Sequence, residues 1–427
     1  MRAVAQCVLF FAVAQEHSDQ RKRGRPRRPK APKVRELVGR QQVEMLARHR
    51  RRLHKAYAHG NRKLFLDTVL TAHLLAFFNP CLRSLRTIED FSQTQEAQGE
   101  LEMERVCRST LSDANAVLDA GLLEALIEDL RQRLPGLEKK EGKLGQLLKR
   151  LRLVDGSYFA VAADVYWALR KRKPWDEASD DRFVRLDLQM CCVSGVPECV
   201  EINGWGTGEV AAAQRHVEAG FIYVADRGIF SHQWLGEMLT GGADFVLRIK
   251  TSQKTRTVRE NPLSKADRAA GVLSDRVVVL EGGPGRQAPQ QELREVRIVD
   301  ASHPEKVVRL LSNLREVEAH LLGVIYRHRW QIELFFRWLK VHANFRHLIS
   351  ESRNGILLSF YTAVIGVLLL YLHTGRKPSK YGFNMLCLVA DGSASLQEII
   401  PILERRERER ELARQRLARL KAEKSGK

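Results

Sequence analysis

The amino-acid sequence predicts a mixed α/β protein in which a strand-rich centre lies between a helical N-terminal region and a helical C-terminal tail. Apolar residues recur at helical spacing over about residues 35–134, short apolar strands bounded by turn residues follow over 151–250, and an amphipathic helix is predicted at 326–340. The chain of 427 residues is long enough to bury a large core and to form two or three units.

Residues 1–34 are predicted to be a disordered basic N-terminal segment, because residues 15–34 are too poor in apolar side chains to fold alone. Their Arg-Gly-Arg-Pro centre resembles an AT-hook, in which Arg23 and Arg25 would lie along the floor of a narrow A·T minor groove. An unspecific basic tail is the alternative. A secretory signal over residues 3–14 is disfavoured, since the dense basic run that follows would make a poor mature N-terminus.

Residues 35–145 are predicted to form a helical DNA-binding domain. A basic helix is expected over residues 35–59, an apolar helix over 64–78, and a further helix after the capping residues 109–113. The polar residues at the start of that last helix are compatible with a small helix-turn-helix, and a plain capped helix is the simpler interpretation.

The centre of the chain has the strand order of an RNase H-like fold. Three hairpin-linked strands, then a strand, a helix and a strand, precede a late helix that carries an acid. Asp155 interrupts the first strand and Asp226 ends the fourth. The purely structural alternatives are that Asp155 is a turn residue before Gly156 and that Asp226 caps the following helix. The predicted strands are 151–163, 182–193, 197–203, 221–225 and 245–250, with helices at 210–219 and 234–239.

The late helix is predicted to be amphipathic and to contain no break, because strong helix formers fill residues 326–340. At about 100° per residue, its polar face spans roughly 60°. An ordinary surface helix with an Arg329–Glu333 ion pair is the alternative. The polar face holds Tyr326, Arg329, Glu333 and Lys340, and the apolar face holds Ile332, Phe335, Phe336 and Leu339.

The spacing Y-x-x-R-x-x-x-E-x-x-x-x-x-x-K on that polar face resembles the signature of the bacterial insertion-sequence "four" family of DDE transposases. Asp226-Arg227-Gly228 and Leu311–Leu314 are similar to two further stretches of that family, and the resemblance covers roughly residues 105–375. It implies that Asp155, Asp226 and Glu333 are catalytic, metal-binding carboxylates. It also implies that Tyr326, Arg329 and Lys340 hold the phosphates around the scissile bond.

The chemistry implied is metal-dependent cleavage of DNA strands at element ends and strand transfer into target DNA. Three carboxylates at one site need a compensating charge, which Mg²⁺ supplies with its preference for oxygen ligands, and Mn²⁺ can substitute. Two ions about 4 Å apart would activate water and stabilise the leaving 3′ oxygen. The alternative function is a transposase-derived DNA-binding protein that no longer cuts.

Roughly a hundred residues separate Asp226 from Glu333, more than a compact core needs, so a β-rich insertion is predicted at about 251–300. In relatives that cut through a DNA hairpin, an aromatic residue of this insertion stacks on a flipped base. Residues 251–300 contain no Trp, Tyr or Phe, so the sequence does not predict the hairpin route. The catalytic domain is assigned to residues 146–375 and the helical tail to 376–427.

The formal net charge of +20 indicates a polyanionic partner, with double-stranded DNA the first candidate. The family resemblance implies a homodimer or higher oligomer on DNA. The seven cysteines form no C-x-x-C pair, which favours free thiols in a reducing cytoplasm, where the protein would be associated with the nucleoid. The apolar run Gly355–Leu372 falls short of the ~20 residues of a membrane span, so a helix buried against the sheet is expected there.

Overall fold

The computed structural model describes residues 49, 51–56, 64–134, 142–161, 165–204, 216–282, 288–300, 303–341, 350–374 and 381–425, with short gaps inside 64–134, 165–204 and 381–425. Arg23, Arg25 and residues 210–215 lie outside these residues, and the described end of the helix predicted at 210–219, residues 216–219, is not helical. The chain divides into two compact units, one formed by Met1–Arg133 with His342–Lys427 and the other by Leu134–Val341.

The elements are numbered in chain order. The helices are α1 (Leu66–Phe78), α2 (Leu85–Ser92), α3 (Gln95–Gly99), α4 (Arg108–Val117), a 3₁₀ turn (Ala120–Leu123), α5 (Glu124–Gln132), α6 (Lys143–Arg150), α7 (His232–Thr240), α8 (Lys265–Ala269), α9 (Ala319–His328), α10 (Trp330–Val341), α11 (Arg353–Thr374) and α12 (Leu396–Ser425). The strands are β1 (Leu151–Val161), β2 (Leu169–Lys173), β3 (Asp176–Cys191), β4 (Pro197–Asn203), β5 (Ile222–Ala225), β6 (Asp244–Arg248), β7 (Thr255–Glu260), β8 (Val272–Leu280), β9 (Leu293–Asp300) and β10 (His303–Ser312).

The helical unit is built around α11, which packs against α1, α4, α5 and the 3₁₀ turn. The helix predicted at 355–372 is therefore confirmed, but its expected packing against a sheet is wrong. A helix that is apolar on all sides must be enclosed, and its sequence does not say by what. Gly366 allows the close approach of α1, since a Cβ there would lie 2.5 Å from the Phe77 ring. By contact clustering, α11 belongs to the same compact unit as the N-terminal helices.

A polar contact fixes the beginning of α11 against the end of α4. The Asn354 amide donates to the carbonyl oxygens of Asn115, at 2.9 Å, and Leu118, and its oxygen accepts the Ala120 N–H at 3.0 Å. Asn115 also lies 2.8 Å from the buried His73 ring, whose burial lowers its pKa to about 4. Among the residues described, no helix meets the length and hydropathy of a membrane span.

The second unit contains a ten-stranded sheet in the order β2-β3-β1-β5-β6-β10-β9-β8-β7, with β4 also paired to β3. β1 is antiparallel to β3 and parallel to β5, and β5 is parallel to β6. The path β4-β3-β1-β5-β6 is the RNase H-like arrangement, so the predicted fold class is confirmed. The charged arm formed by β2 and the first residues of β3 was not predicted, because its composition does not favour strands.

The expected interruption of the first strand at Asp155 is also wrong, since β1 continues through Asp155, Gly156 and Ser157. Each of the three pairs with a residue of β3. Gly156 suits the crossing with β3, because a Cβ there would lie 2.5 Å from Asp187 Oδ1.

The β-rich insertion continues the core sheet. β10 pairs antiparallel with both β6 and β9, and β8 and β7 follow outward. On β9 the fully buried Glu295 accepts hydrogen bonds from Arg276 at 2.9 Å, Arg297 at 2.9 Å and Arg309 at 3.0 Å. Burial alone would raise the pKa of Glu295, but the bonds from Arg309, Arg297 and Thr255 outweigh it and lower the pKa to about 2.

We expect Glu295→Gln to lower the free energy of unfolding by about 2–3 kcal/mol at pH 7, less than for a fully buried pair because Arg297 is partly exposed. The folded-state pKa lies below the ordinary 4.5, so this contribution is present above about pH 4.5 and is lost as the pH falls toward 2. Urea unfolding of both proteins at pH 7 and pH 3.5 measures it. The lowered pKa of Glu295 would be contradicted if the difference in the free energy of unfolding between the two proteins did not narrow at pH 3.5.

Candidate active site

Two adjacent parallel strands bring Asp155 and Asp226 to the same end of the sheet. Val154 of β1 is in register with Ala225, the last residue of β5, so each acid is the next residue along its strand direction. Neighbouring strands lie about 4.8 Å apart. Asp155 is held in place by its strand, and its Oδ1 accepts the Gly156 N–H at 2.8 Å. Asp226 does not cap the following helix, because Ser231 caps α7.

The signature helix is interrupted at Arg329, contrary to the unbroken helix predicted over 326–340. The Arg329 N–H bonds to the Tyr326 carbonyl at 3.0 Å, and the Ile332 N–H bonds to the Arg329 carbonyl at 3.1 Å. Both bonds span three residues, so a tight 3₁₀-like turn joins α9 to α10. Arg329 keeps right-handed helical angles (φ −52°, ψ −31°), and the chain therefore continues in helical form on either side.

The apolar face of α10 is buried as predicted, since Ile332, Phe335, Phe336 and Leu339 are all buried. The helix packs on β1, where the rings of Phe336 and Phe159 lie 6.5 Å apart. Glu333 lies on the polar side of the helix, where Arg329 connects it with Asp155.

Arg329 connects the acid of the sheet with the acid of the helix. Its Nη2 lies 2.6 Å from Glu333 Oε1 and its Nη1 lies 3.5 Å from Asp155 Oδ2. The Arg329 side chain is largely buried, so its charge depends on these carboxylates for compensation.

Asp226 is held by a phenol and a second arginine. The Tyr326 hydroxyl donates to Asp226 Oδ1 at 3.0 Å, and Arg248 Nη1 lies 3.6 Å from the same oxygen. The sequence interpretation missed Arg248. The signal was available, because Arg248 ends β6 one residue beyond Leu247, the partner of Ala225. The strand register that aligns Asp155 with Asp226 also places Arg248 next to Asp226.

Burial and neighbouring charges shift the pKa values of the site. Burial is the largest cause that raises the pKa of Asp155 to about 6; Glu333 and Asp226 raise it further, while the Gly156 N–H and Arg329 oppose the shift. Burial likewise raises the pKa of Tyr326 to about 12, so its hydroxyl remains protonated near neutral pH. Burial opposes the charge on Arg329, but Tyr326 and Glu333 outweigh it and raise its pKa.

Lys340 lies farther along α10 and contacts β1. Its Nζ is 5.1 Å from the centre of the Phe159 ring, four residues beyond Asp155, and burial lowers its pKa. The structure therefore brings five of the predicted residues into one network of contacts and charges, and places Lys340 beside the same strand.

The donor chemistry of this network suits a divalent ion such as Mg²⁺. Three carboxylates supply hard oxygen ligands, and the cation now between two of them, Arg329, marks a position where positive charge is needed. Among the described residues, no three His, Cys, Asp or Glu side chains are already arranged around one point as ligands of a single ion. An ion would therefore compete with Arg329 for the carboxylate oxygens.

An RNase H-like sheet with two acids that follow the last paired residues of adjacent parallel strands, and a third acid on a packed helix, is characteristic of DDE enzymes that act on nucleic acids. Residues 186–369 match the family described as the transposase DDE domain. This central region of the chain is thus similar to the DDE domain of transposases.

The similar proteins agree with this class. A protein of Sinorhizobium fredii named as a transposase is 24% identical over 261 residues, which cover 61% of this chain and 69% of the relative. A protein of Synechocystis sp. named as a transposase for insertion sequence element IS4SA is 26% identical over 298 residues, covering 66% and 76%. A piggyBac transposase synaptic complex with hairpin DNA aligns weakly, at 10% identity and a TM-score of 0.38 over 83% of this chain and 78% of that chain.

Phe336→Ala should lower the free energy of unfolding by about 3–5 kcal/mol, because it leaves a cavity between α10 and β1. Leu334→Ala on the same helix is the matched control. Leu334 is 45% exposed, so its replacement should change stability by no more than about 0.5 kcal/mol. Urea unfolding of both variants measures the difference. Equal losses would mean that α10 does not present this face to the sheet.

Proposed function

We propose that the protein is a magnesium-dependent DNA transposase that cleaves strands at the ends of its element and joins the freed 3′ ends to target DNA. The observation that carries the proposal is the convergence of Asp155, Asp226 and Glu333 on Arg329 and Tyr326, inside a DDE domain. Metal-dependent cleavage and transfer of DNA strands needs several carboxylates at one site. Acids without such a role usually lie exposed on the protein surface.

Asp155, Asp226 and Glu333 are the residues that would hold Mg²⁺, or Mn²⁺ in its place. When bound, the metal supplies an activated water and a counter-charge for the leaving 3′ oxygen. Tyr326 has a positioning role, since its hydroxyl donates to Asp226 and fixes the direction of that carboxylate. Its raised pKa keeps the proton on this hydroxyl over the working pH range.

Arg329, Lys340 and Arg248 are the cations available to DNA phosphates at this site. Arg329 offers a planar fork that matches two phosphate oxygens, and Lys340 offers a point charge. The carboxylate partners of Arg329 are the proposed metal ligands. Metal binding would therefore release its guanidinium toward the phosphate that flanks the scissile bond.

The proposed partner is double-stranded DNA, at the element ends and at the target, bound by a homodimer or higher oligomer. The net charge of +20 supports a polyanionic partner and predicts salt-sensitive binding. Arg23 and Arg25 would add contacts in an A·T-rich minor groove. Such a protein would work at the nucleoid, in the cytoplasm.

We expect Glu333→Gln to reduce cleavage of a duplex carrying the element end by about a hundredfold or more, because one of the three carboxylates that would hold the metal is lost. Denaturing gels with Mg²⁺ follow the cleavage, and chelation by EDTA should abolish it in every protein. Gel-shift affinity should stay close to that of the wild type.

Glu305→Gln is the matched control, an exposed acid of β10 in the same unit, and it should cleave like the wild type. Undiminished cleavage by Glu333→Gln would refute the assignment of Glu333. It would leave a DNA-binding protein whose chemistry lies elsewhere.

A further inference from the structure

Two buried charged residues of the insertion, Asp267 and Arg294, bind backbone outside the insertion. Their partners belong to the connecting loop (residues 313–318) and to the first turn of α9. That loop and turn lead directly into Tyr326 and Arg329. The proposed chemistry described above does not use either residue.

Arg294 holds the connecting loop. Its Nε and Nη2 donate to the two oxygens of Asp275 on β8 at 2.9 and 2.6 Å, a bidentate pair in which both residues are buried. Its Nη1 donates to the carbonyl oxygens of Leu314 at 3.1 Å, Arg315 at 3.2 Å and Val317. One guanidinium therefore satisfies three carbonyls of a loop that has no regular structure of its own.

Asp267 caps the helix that follows. Glu318, the residue at the N-cap position of α9, makes no side-chain cap hydrogen bond. Asp267 Oδ1, from α8 of the insertion, instead accepts the His320 backbone N–H at 2.9 Å and lies 2.8 Å from His320 Nδ1. Its other oxygen accepts from the backbone and hydroxyl of Ser264 at 3.0 and 2.7 Å. A buried carboxylate at a helix N-terminus is well placed to stabilise the first turn.

The body of α9 lies directly on the insertion. Gly323, three residues before Tyr326, approaches β9 so closely that a Cβ there would lie 2.5 Å from Ile298 Cδ1. The helix is thus fixed at its loop, at its first turn and along its side by residues of β8, β9 and α8. Core strands alone do not supply these contacts.

We propose that Asp267 and Arg294 are positioning residues for the transposition chemistry, through which the insertion sets where α9 presents Tyr326 and Arg329 to the acids of the sheet. This inference rests on the proposed function. A loosened first turn of α9 would displace Tyr326 from Asp226 and Arg329 from Asp155. Misplacement by about 1 Å at a reacting site can cost about a hundredfold in rate.

The test compares Asp267→Ala with Asp267→Asn. The alanine removes the acceptor for the His320 N–H, whereas the asparagine keeps an oxygen at that place. We expect Asp267→Ala to lower the single-turnover cleavage rate at saturating DNA by about ten- to a hundredfold. The gel-shift affinity should remain unchanged. Asp267→Asn should recover the rate to within a few-fold of the wild type.

Two matched controls separate positioning from general destabilisation. Glu295→Gln disturbs a buried cluster in which Glu295 bonds to Arg276, Arg297 and Arg309 of the sheet, and Ser231→Ala removes the cap of α7, which carries none of the site residues. Both should keep the wild-type cleavage rate below their melting temperatures. The positioning role is overturned if either control slows cleavage as much as Asp267→Ala, or if Asp267→Ala cleaves like the wild type.

Hydrogen exchange of the free protein separates failure of this inference from failure of the proposed function. Asp267→Ala should speed amide exchange over residues 319–333, Asp267→Asn should not, and Ser231→Ala should act only on 232–240. This pattern in a protein that cleaves no DNA would refute the transposase chemistry and retain the structural coupling. Unchanged exchange over 319–333 in Asp267→Ala would overturn the inference.

Discussion

The arrangement of the site depends on one guanidinium group, that of Arg329, which is shared between an acid of the sheet and an acid of the helix. Its burial would cost several kcal/mol without Asp155 and Glu333 as partners. The two carboxylates would in turn repel each other without it. The apolar contacts of α10 with β1 determine where the helix lies, and the shared guanidinium makes that position electrostatically acceptable.

The same balance of charge connects the structure to the proposed chemistry. The pKa of Asp155 is raised because the residue is buried and lies beside two other acids. The positive charge of Arg329 opposes this rise. In the structure that charge belongs to the protein. On the proposed function, Asp155, Asp226 and Glu333 would hold a divalent ion that supplies this charge, and Arg329 would be available to a phosphate of the DNA. The insertion contributes by holding the first turn of α9, the helix that leads to Arg329.

The sequence predicted the parts of this site that follow from periodicity and from strand ends. Asp155 and Asp226 were grouped from their positions on predicted strands together with the family resemblance, and the apolar face of α10 was evident from its spacing. The break at Arg329 could not be predicted, since every residue around it favours a helix and tertiary contacts decide the tighter turn. The roles of the site residues and of the two units remain predictions.

Other features depend on contacts between segments that are distant in the chain. The partners of α11 are the N-terminal helices, and a helix that is apolar on all sides carries no directional pattern to reveal them. Asp267 takes part in the cap of its own short helix, α8, because Ser264 and Asp267 form a capping box with each other. Its second bond, to His320, joins residues 53 positions apart. Arg248 was predictable in principle from the alignment of β5 with β6.

The central claim is that Asp155, Asp226 and Glu333 act together as ligands of a divalent metal, and Mn²⁺ binding followed by the paramagnetic resonance of the free ion tests it most directly. We predict that the protein binds Mn²⁺ and that Asp155→Asn, Asp226→Asn and Glu333→Gln each weaken binding by tenfold or more. Asp187 lies on β3 and bonds to Arg185 of the same strand and to Asn203 of β4. Asp187→Asn should leave Mn²⁺ binding unchanged. Equal Mn²⁺ affinity in all of these proteins would contradict the account.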